Sequence, residues 1–360
     1  MGLLSKMPAF ASGATWWPWT EETDETIYDP SIAWPKISIV TPSYNQGGFI
    51  EETIRSVVLQ NYPNLEYIII DGRSSDNTTE IIKKYQRWIS YWVSEPDRGQ
   101  SHAINKGFER CTGEIFNWIN SDDWYLKETF FEVASSFLKN RSAKVVSGSE
   151  NHISLTGEIT QFAGTFVERT LASSIELSYI SQPSTFFRLT SFKQLGPLVE
   201  SLHYSMDAEL WIRFLLMFGT KPFLKIKKAL VNFRFHSNSK TVNNLVNNSL
   251  ALNFLVEKSS ITVHLLKTVE VPEKISKFWT AEVLKTPEVY DVDCHWQFNE
   301  NLISRKELRL YFIKRYINIQ FQKRNFKQAY WGITQLVKNN GIDFFVIKSV
   351  MKLFAKKFAH

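Results

Sequence analysis

Acidic and amide side chains cluster where an apolar run stops at Trp118-Ile119-Asn120-Ser121-Asp122-Asp123-Trp124. Carboxylate oxygens suit hard cations such as Mg2+ or Mn2+, and such ions bridge the oxygens of a diphosphate. Asp122 and Asp123 are the candidate ligands, although Asp123 also stands where an aspartate caps a following helix. Three further polar clusters follow apolar runs upstream: Pro42-Ser43-Tyr44-Asn45, Asp71-Gly72 and Glu95-Pro96-Asp97. Downstream, Ser205-Met206-Asp207-Ala208-Glu209-Leu210-Trp211 puts acids in the first turn of a strongly apolar helix, a position the helix dipole also favours without any chemistry.

The elements around these clusters read as alternating strands and helices. Strands are expected at Ile37–Thr41, Tyr67–Ile70, Tyr91–Ser94, Glu114–Ile119 and Lys144–Ser147. Helices are expected at Gly48–Leu59, Thr78–Trp88, Ser101–Arg110 and Lys127–Leu138. That alternation predicts an α/β chain with a mainly parallel, doubly wound sheet. In such sheets ligands sit beyond the carboxyl ends of the strands, where four polar clusters stand here. The pattern loosens from Asn151 to Phe187, a helix follows at Ser205–Phe218, and Val231–His236 reads as a strand. Three regions result: an N-terminal arm at 1–35 with no clear period, expected to be loosely ordered; a catalytic domain at 36–240; and a mostly helical, basic region at 241–360.

Composition narrows the classes. The chain has 360 residues, 44% apolar and 22% charged, ordinary for a globular protein. Two cysteines, Cys111 and Cys294, make neither a disulfide framework nor a zinc cluster, which points to a reducing, cytoplasmic compartment. Met1–Thr20 lacks the order of a signal peptide, and no run of about 18 apolar residues spans a membrane. Residues 301–360 hold 13 Lys and Arg against Glu307 and Asp343, a net +11 that leaves −5 for the first 300 residues of a chain at +6.

Taken together, Ile37-Ser38-Ile39-Val40-Thr41-Pro42-Ser43-Tyr44-Asn45, Ile70-Asp71-Gly72-Arg73-Ser74-Ser75-Asp76 and Asn120-Ser121-Asp122-Asp123 resemble family 2 glycosyltransferases of GT-A fold. Ser94-Glu95-Pro96-Asp97-Arg98-Gly99-Gln100, with Ala103-Ile104-Asn105-Lys106-Gly107 behind it, extends the likeness over roughly residues 36–240. The resemblance implies an inverting, single-displacement transfer from a nucleotide-diphosphate sugar, assisted by Mn2+ or Mg2+. It implies that Pro42, Ser43 and Tyr44 lie against the nucleotide, that Asp71 contacts the base, and that Asp97, Arg98 and Gly99 lie near the donor sugar and diphosphate. Arg98 is equally readable as an exposed surface arginine, and Asn105 and Lys106 as supports of that loop. Asn120 replaces the first acid of the common Asp-x-Asp motif; with Ser121 it remains on the nucleotide side, where an amide can hydrogen-bond ribose but adds no charge. Arg73 departs too, since related sequences often have Gly or Ser there. Asp207 is the implied base that deprotonates the acceptor, with Glu209 as fallback and Met206 where an acid is usual. His236, in Phe235-His236-Ser237, resembles a further metal ligand, though a lone histidine is as often structural. Gln182-Pro183-Ser184-Thr185, followed by Phe186 and Phe187, resembles the acceptor-side segment, with core packing the expected role of the two aromatics.

Leu308–Ile319 and Phe344–Phe358 mix Lys and Arg with large apolar residues at helical spacing, as basic helices on an anionic membrane face do. Such a helix would suit a lipid-linked acceptor on the cytoplasmic side; a solvated helical appendage is the other reading. No nucleic-acid-binding module accompanies the charge. A nucleotidyltransferase would share the crevice and metal, but no Gly-rich phosphate loop with a following Lys is present. An inactive glycan-binding scaffold would be expected to have lost one of Asp71, Asp122 and Asp207, all of which are here.

Overall fold

The computed structural model of the chain describes residues 2–9, 13–154, 156–236, 239, 248–285 and 289–357. The strands are β1 (Ile37–Ser43), β2 (Leu65–Asp71), β3 (Tyr91–Ser94), β4 (Ile115–Trp118), β5 (Trp124–Tyr125), β6 (Val145–Ile153), β7 (Ile159–Phe162), β8 (Thr185–Arg188) and β9 (Phe223–Arg234). The helices between them are α1 (Ile50–Val58), α2 (Thr78–Tyr85), α3 (Gln100–Arg110), α4 (Thr129–Lys139), α5 (Leu171–Leu177), α6 (Leu189–Leu195) and α7 (Met206–Phe218). After them come α8 (Asn248–Thr268), α9 (Glu273–Phe278), α10 (Arg305–Gln322), α11 (Phe326–Asn340) and α12 (Phe344–Lys357).

β1, β2 and β4 are buried on both faces, which explains their nearly continuous apolar runs, while β3 at the sheet's edge is half-buried. Their alternation divides two cores: Ile37, Ile39, Tyr67 and Ile69 enter one, Val40, Ile68, Ile70 and Phe116 the other. β3, β2, β1 and β4 are parallel neighbours, so their carboxyl ends share one edge. Beyond β4 the order continues β8, β6, β9, β5, with β8 antiparallel to both β4 and β6. The expected run of parallel strands therefore stops at β4: β8 intervenes before Val145–Ser147. β6 also extends to Ile153, where it pairs with β7, and β9 begins eight residues before the expected Val231. Those residues carry lysines on a half-exposed surface, which hid the strand's period.

The N-terminal arm is not loose. Tyr28 and Trp34 are buried in the core beneath α1, and the Trp17 indole donates to the Tyr125 carbonyl at 2.7 Å. Buried Arg55 donates to the carbonyls of Pro18 at 3.1 Å and Trp19 at 3.2 Å. Discrete aromatic anchors on irregular backbone leave no period to read, which is why the arm looked unstructured.

The boundary expected at 240/241 falls among residues outside those described. One apolar cluster runs from Val40 and Phe116 through Trp211 and Phe214 of α7 to Ile261, Leu265, Phe312 and Tyr316. The C-terminal helices thus share a core with the sheet. No helix of the described residues is long and apolar enough to cross a membrane.

Candidate functional site

The four strand-end clusters meet. At the end of β2, Asp71 is fully buried; its carboxylate accepts from the Ser74 N–H at 2.9 Å and the hydroxyls of Ser74 and Ser94. Glu95 N–H donates to the Asp71 carbonyl at 3.0 Å, tying β3's exit to β2's. A Cβ on Gly72 would lie 2.7 Å from Asp97 Oδ2 and 3.4 Å from the Tyr44 ring, so glycine lets the Asp97 carboxylate and the Tyr44 ring approach the β2 turn. Ser43 is buried with its hydroxyl unpartnered, while Tyr44 presents a ring that is 62% exposed.

From Asp97 the chain turns into α3. Asp97 accepts from Gly99 N–H at 2.8 Å, and Gly99 takes φ 113°, which favours glycine. Gln100 donates to Asn120 Oδ1 at 2.6 Å, while the Ser101 hydroxyl reaches the Leu202 carbonyl at 3.2 Å and Met206 Sδ at 2.7 Å. The start of α3 therefore touches both the end of β4 and the start of α7. Asn105 clamps the far side, exchanging hydrogen bonds with the Leu198 carbonyl at 3.0 Å and N–H at 2.8 Å. Lys106 pairs Glu95. Arg98 pairs Glu200 at 2.7 Å on an open surface.

Beyond Asn120 and buried Ser121, Asp122 Oδ2 faces His236 Nε2 at 2.9 Å, a carboxylate and an imidazole 114 residues apart in the sequence. Asp123 does not join them in a three-donor cluster; among the described residues no group of three or more His, Cys, Asp or Glu forms one. It is buried, with Oδ1 accepting Arg234 N–H at 2.9 Å and Oδ2 unpartnered. Burial, then the nearby Asp122 charge, holds its carboxyl well above the usual range. Arg234 locks the turn by donating to the Asp122 carbonyl at 3.1 Å and pairing Glu52. Asp122 and His236 would offer one oxygen and one nitrogen to a divalent cation, and of the two the carboxylate oxygen suits Mn2+ or Mg2+.

Asp207 stands in the first turn of α7, half-buried, with its own helix N–H from Ala208 at 2.8 Å. Burial pushes its carboxyl up to about 6, opposed by that N–H and by Lys258. The preceding turn is held from outside: Glu257 of α8 accepts the N–H groups of His203 at 2.7 Å, Tyr204 at 2.7 Å and Ser205 at 2.8 Å. Glu209, two residues on, is buried and bound by Arg213 at 2.8 and 3.0 Å, so it is not open to an acceptor and the fallback assignment fails. Gln182 is buried beneath β4, donating to the Trp118 carbonyl at 2.8 Å, and Phe186 and Phe187 are core residues.

Residues 38–196 match the description Glycosyl transferase family 2. The chain carries a family 2 glycosyltransferase domain. A glycosyltransferase of Rickettsia typhi is 27% identical over 249 residues, covering 67% of this chain and 74% of that protein. The poly-beta-1,6-N-acetyl-D-glucosamine synthase of Staphylococcus epidermidis is 28% identical over 169 residues, 44% of this chain and 41% of that enzyme. The crystal structure of Staphylococcus aureus TarS residues 1–349 with UDP-GlcNAc superposes with a TM-score of 0.51 at 17% identity, over 84% of this chain and 81% of that one. That likeness concerns the fold, which is GT-A.

Sequence reasoning missed Gln100, Glu257 and Arg234. Gln100 stands within a quoted motif but was given no role, and Arg234 adjoins another; both could have been flagged by position. Glu257 sits in an ordinary helical pattern and gave no signal.

Proposed function

We propose that this glycosyltransferase moves one sugar from a nucleotide-diphosphate sugar to a hydroxyl of a surface glycan or lipid-linked acceptor, with inversion, and uses a divalent cation. The reading rests above all on the start of α3, whose Gln100 and Ser101 join the Asn120–Asp122 turn to the turn carrying Asp207. The exposed Tyr44 ring offers a face to the base, and the Asp71-held loop shapes the nucleotide site with Asp97, Arg98, Gly99 and Asn120. Asp122 and His236 would hold Mn2+ or Mg2+, which when bound neutralises charge on the departing diphosphate. Asp207 takes the proton of the acceptor hydroxyl as its oxygen bonds to the anomeric carbon and the bond to the diphosphate breaks on the opposite face. A carboxyl near 6 is ionised at neutral pH yet more basic than an exposed aspartate, which suits that task. The purified chain with Mn2+ should transfer or hydrolyse at least one of a panel of UDP-, GDP- and dTDP-sugars; silence across the panel, with no nucleotide binding, would favour an inactive glycan-binding scaffold.

A peripheral place on the cytoplasmic face of a membrane accompanies this reading. On α12, Phe344 (79% exposed), Ile347 and Met351 (64%) share the outer face with exposed Lys348 and Lys352, while Val346 and Ser349 face inward. An apolar ridge flanked by lysines suits an anionic lipid surface. Lys348→Glu with Lys352→Glu should lower co-sedimentation with phosphatidylglycerol vesicles several-fold; unchanged sedimentation would remove the membrane from the picture.

A further inference from the structure

Two tryptophans of the N-terminal arm converge on a single oxygen of the sheet domain. Trp16 and Trp19 each direct the indole N–H to Glu52 Oε1, at 3.3 Å in both cases. Trp19 is buried, but Trp16 is 56% exposed, so hydrophobic burial does not explain where its ring stands. The backbone between them is held as well. Arg55 donates to the Pro18 and Trp19 carbonyls with its guanidinium 5.0 Å from the centre of the Trp19 ring, and the Trp17 indole donates to the Tyr125 carbonyl. This part of the arm precedes the family segment, 38–196, and the scheme above gives it no role.

The indoles hold the near end of a chain of contacts that finishes at Asp122 and His236. Buried Glu52, on α1, gives Oε1 to the indoles and Oε2 to the Arg234 guanidinium. Arg234 places a second nitrogen, Nε, on the Asp122 carbonyl at 3.1 Å and its backbone N–H on Asp123. Its guanidinium lies 4.4 Å from the centre of the Trp124 ring and 5.2 Å from that of Phe49. The Phe49 ring in turn stands 4.4 Å from the His236 imidazole. Thr53, beside Glu52, donates to the Asp123 carbonyl at 2.6 Å. One planar cation therefore reaches Asp122 through its carbonyl and His236 through Phe49. Its plane is set by a carboxylate whose other oxygen the arm holds, and a guanidinium fork bound on two edges keeps one orientation.

We infer that Trp16, Trp19, Glu52 and Arg234 are positioning residues, a clamp through which the N-terminal arm orients Asp122 and His236 toward the divalent cation. The inference rests on the glycosyltransferase reading and adds that the arm belongs to its cation site. The test is a double-mutant cycle in the full chain. Trp16→Phe/Trp19→Phe keeps both rings and removes both donors; Arg234→Lys keeps the charge and loses the fork. Calorimetry measures UDP affinity without metal, then the Mn2+ concentration that half-saturates the chain in the presence of UDP. The tryptophan pair should raise that Mn2+ requirement about tenfold, the range for partners that orient metal ligands, with metal-free UDP affinity unchanged. Arg234→Lys should raise it at least as far, and the three substitutions together no further than Arg234→Lys alone. In the metal-free chain, amide exchange across residues 118–125 should quicken in the tryptophan variant and stay unchanged across 71–76. An unchanged Mn2+ requirement, or effects that multiply in the triple variant, overturns the clamp even where the variants melt earlier. If the tryptophan variant does not fold, Glu52→Gln replaces it in the cycle and is judged by the same results. Wild type that binds UDP with no response to Mn2+ overturns the clamp and leaves the donor site standing. Wild type that binds no UDP sinks the enzyme reading, and the clamp falls with it.

Discussion

The end of β2 and the start of α7 each present an aspartate, and the two regions treat it in opposite ways. Asp71 is fully buried, and both its oxygens are occupied by Ser74 and Ser94. Asp207 is half-buried, accepts only from its own helix, and has its turn fixed by Glu257 through the backbone rather than through its carboxylate. A carboxylate whose lone pairs are spent on donors is a brace. One held in place by others, with its oxygens open, keeps its basicity for a proton. Position in the sequence hides this difference, since both follow apolar runs.

The sharpest way to break the contrast is Asp207→Asn. Turnover should fall about 10^3-fold with donor affinity unchanged, the range for losing a general base. In the wild-type enzyme, turnover should decline tenfold per pH unit below about 6. Stability should move the other way. The carboxyl rises from 3.8 to about 6 on folding, so the folded chain holds more protons than the unfolded one in that window. This contribution to stability is present below the unfolded value and is lost as pH rises through about 6. Asparagine mimics the protonated form, so the variant should be about 1–2 kcal/mol more stable at pH 8 in urea titrations. A variant that is both active and less stable would turn Asp207 into a second brace.

Asp71→Asn probes the other side. The amide keeps one acceptor for the Ser74 N–H and the Ser94 hydroxyl but sets an NH2 where the second oxygen accepted the Ser74 hydroxyl, so that hydroxyl loses its acceptor. Unfolding free energy should drop by about 2–3 kcal/mol, and donor KM should rise more than turnover falls. Unchanged stability in a urea melt would show that the serines do not depend on the carboxylate.

How far such roles could be read in the sequence differs across the molecule. β1, β2 and β4 were legible because strands buried on both faces must be apolar throughout, and their polar ends then stand out; half-buried β3 was legible from its strand-forming Tyr91, Trp92 and Val93. The meeting of Asp122 with His236 was suggested only by resemblance, because 114 residues separate them and the strand bringing them together, β9, starts among lysines. The bracing of the Asp207 turn by Glu257 was not legible, since backbone N–H groups make that contact and leave no side-chain pattern. The withdrawal of Asp123 from the site was not legible either, since a backbone N–H, that of Arg234, holds its carboxylate. The N-terminal arm shows the converse: its lack of period signalled looseness, yet Trp19, Tyr28 and Trp34 are buried against the sheet domain.

The smallest effect concerns the turn that Asp71 braces. Arg73 takes φ 65°, a left-handed conformation, with an exposed side chain. An L-residue there costs about 1–2 kcal/mol, while glycine returns about 0.5–1 kcal/mol through its freer unfolded chain. Arg73→Gly should therefore stabilise the protein by at most about 1 kcal/mol and leave donor KM within twofold, provided the loop owes its shape to Asp71. A rise in KM of tenfold with stability unmoved would mean that the guanidinium meets the diphosphate, and that the β2 turn contributes charge to the site as well as shape. A loss of stability would mean that the arginine side chain, rather than the aspartate beneath it, holds the turn.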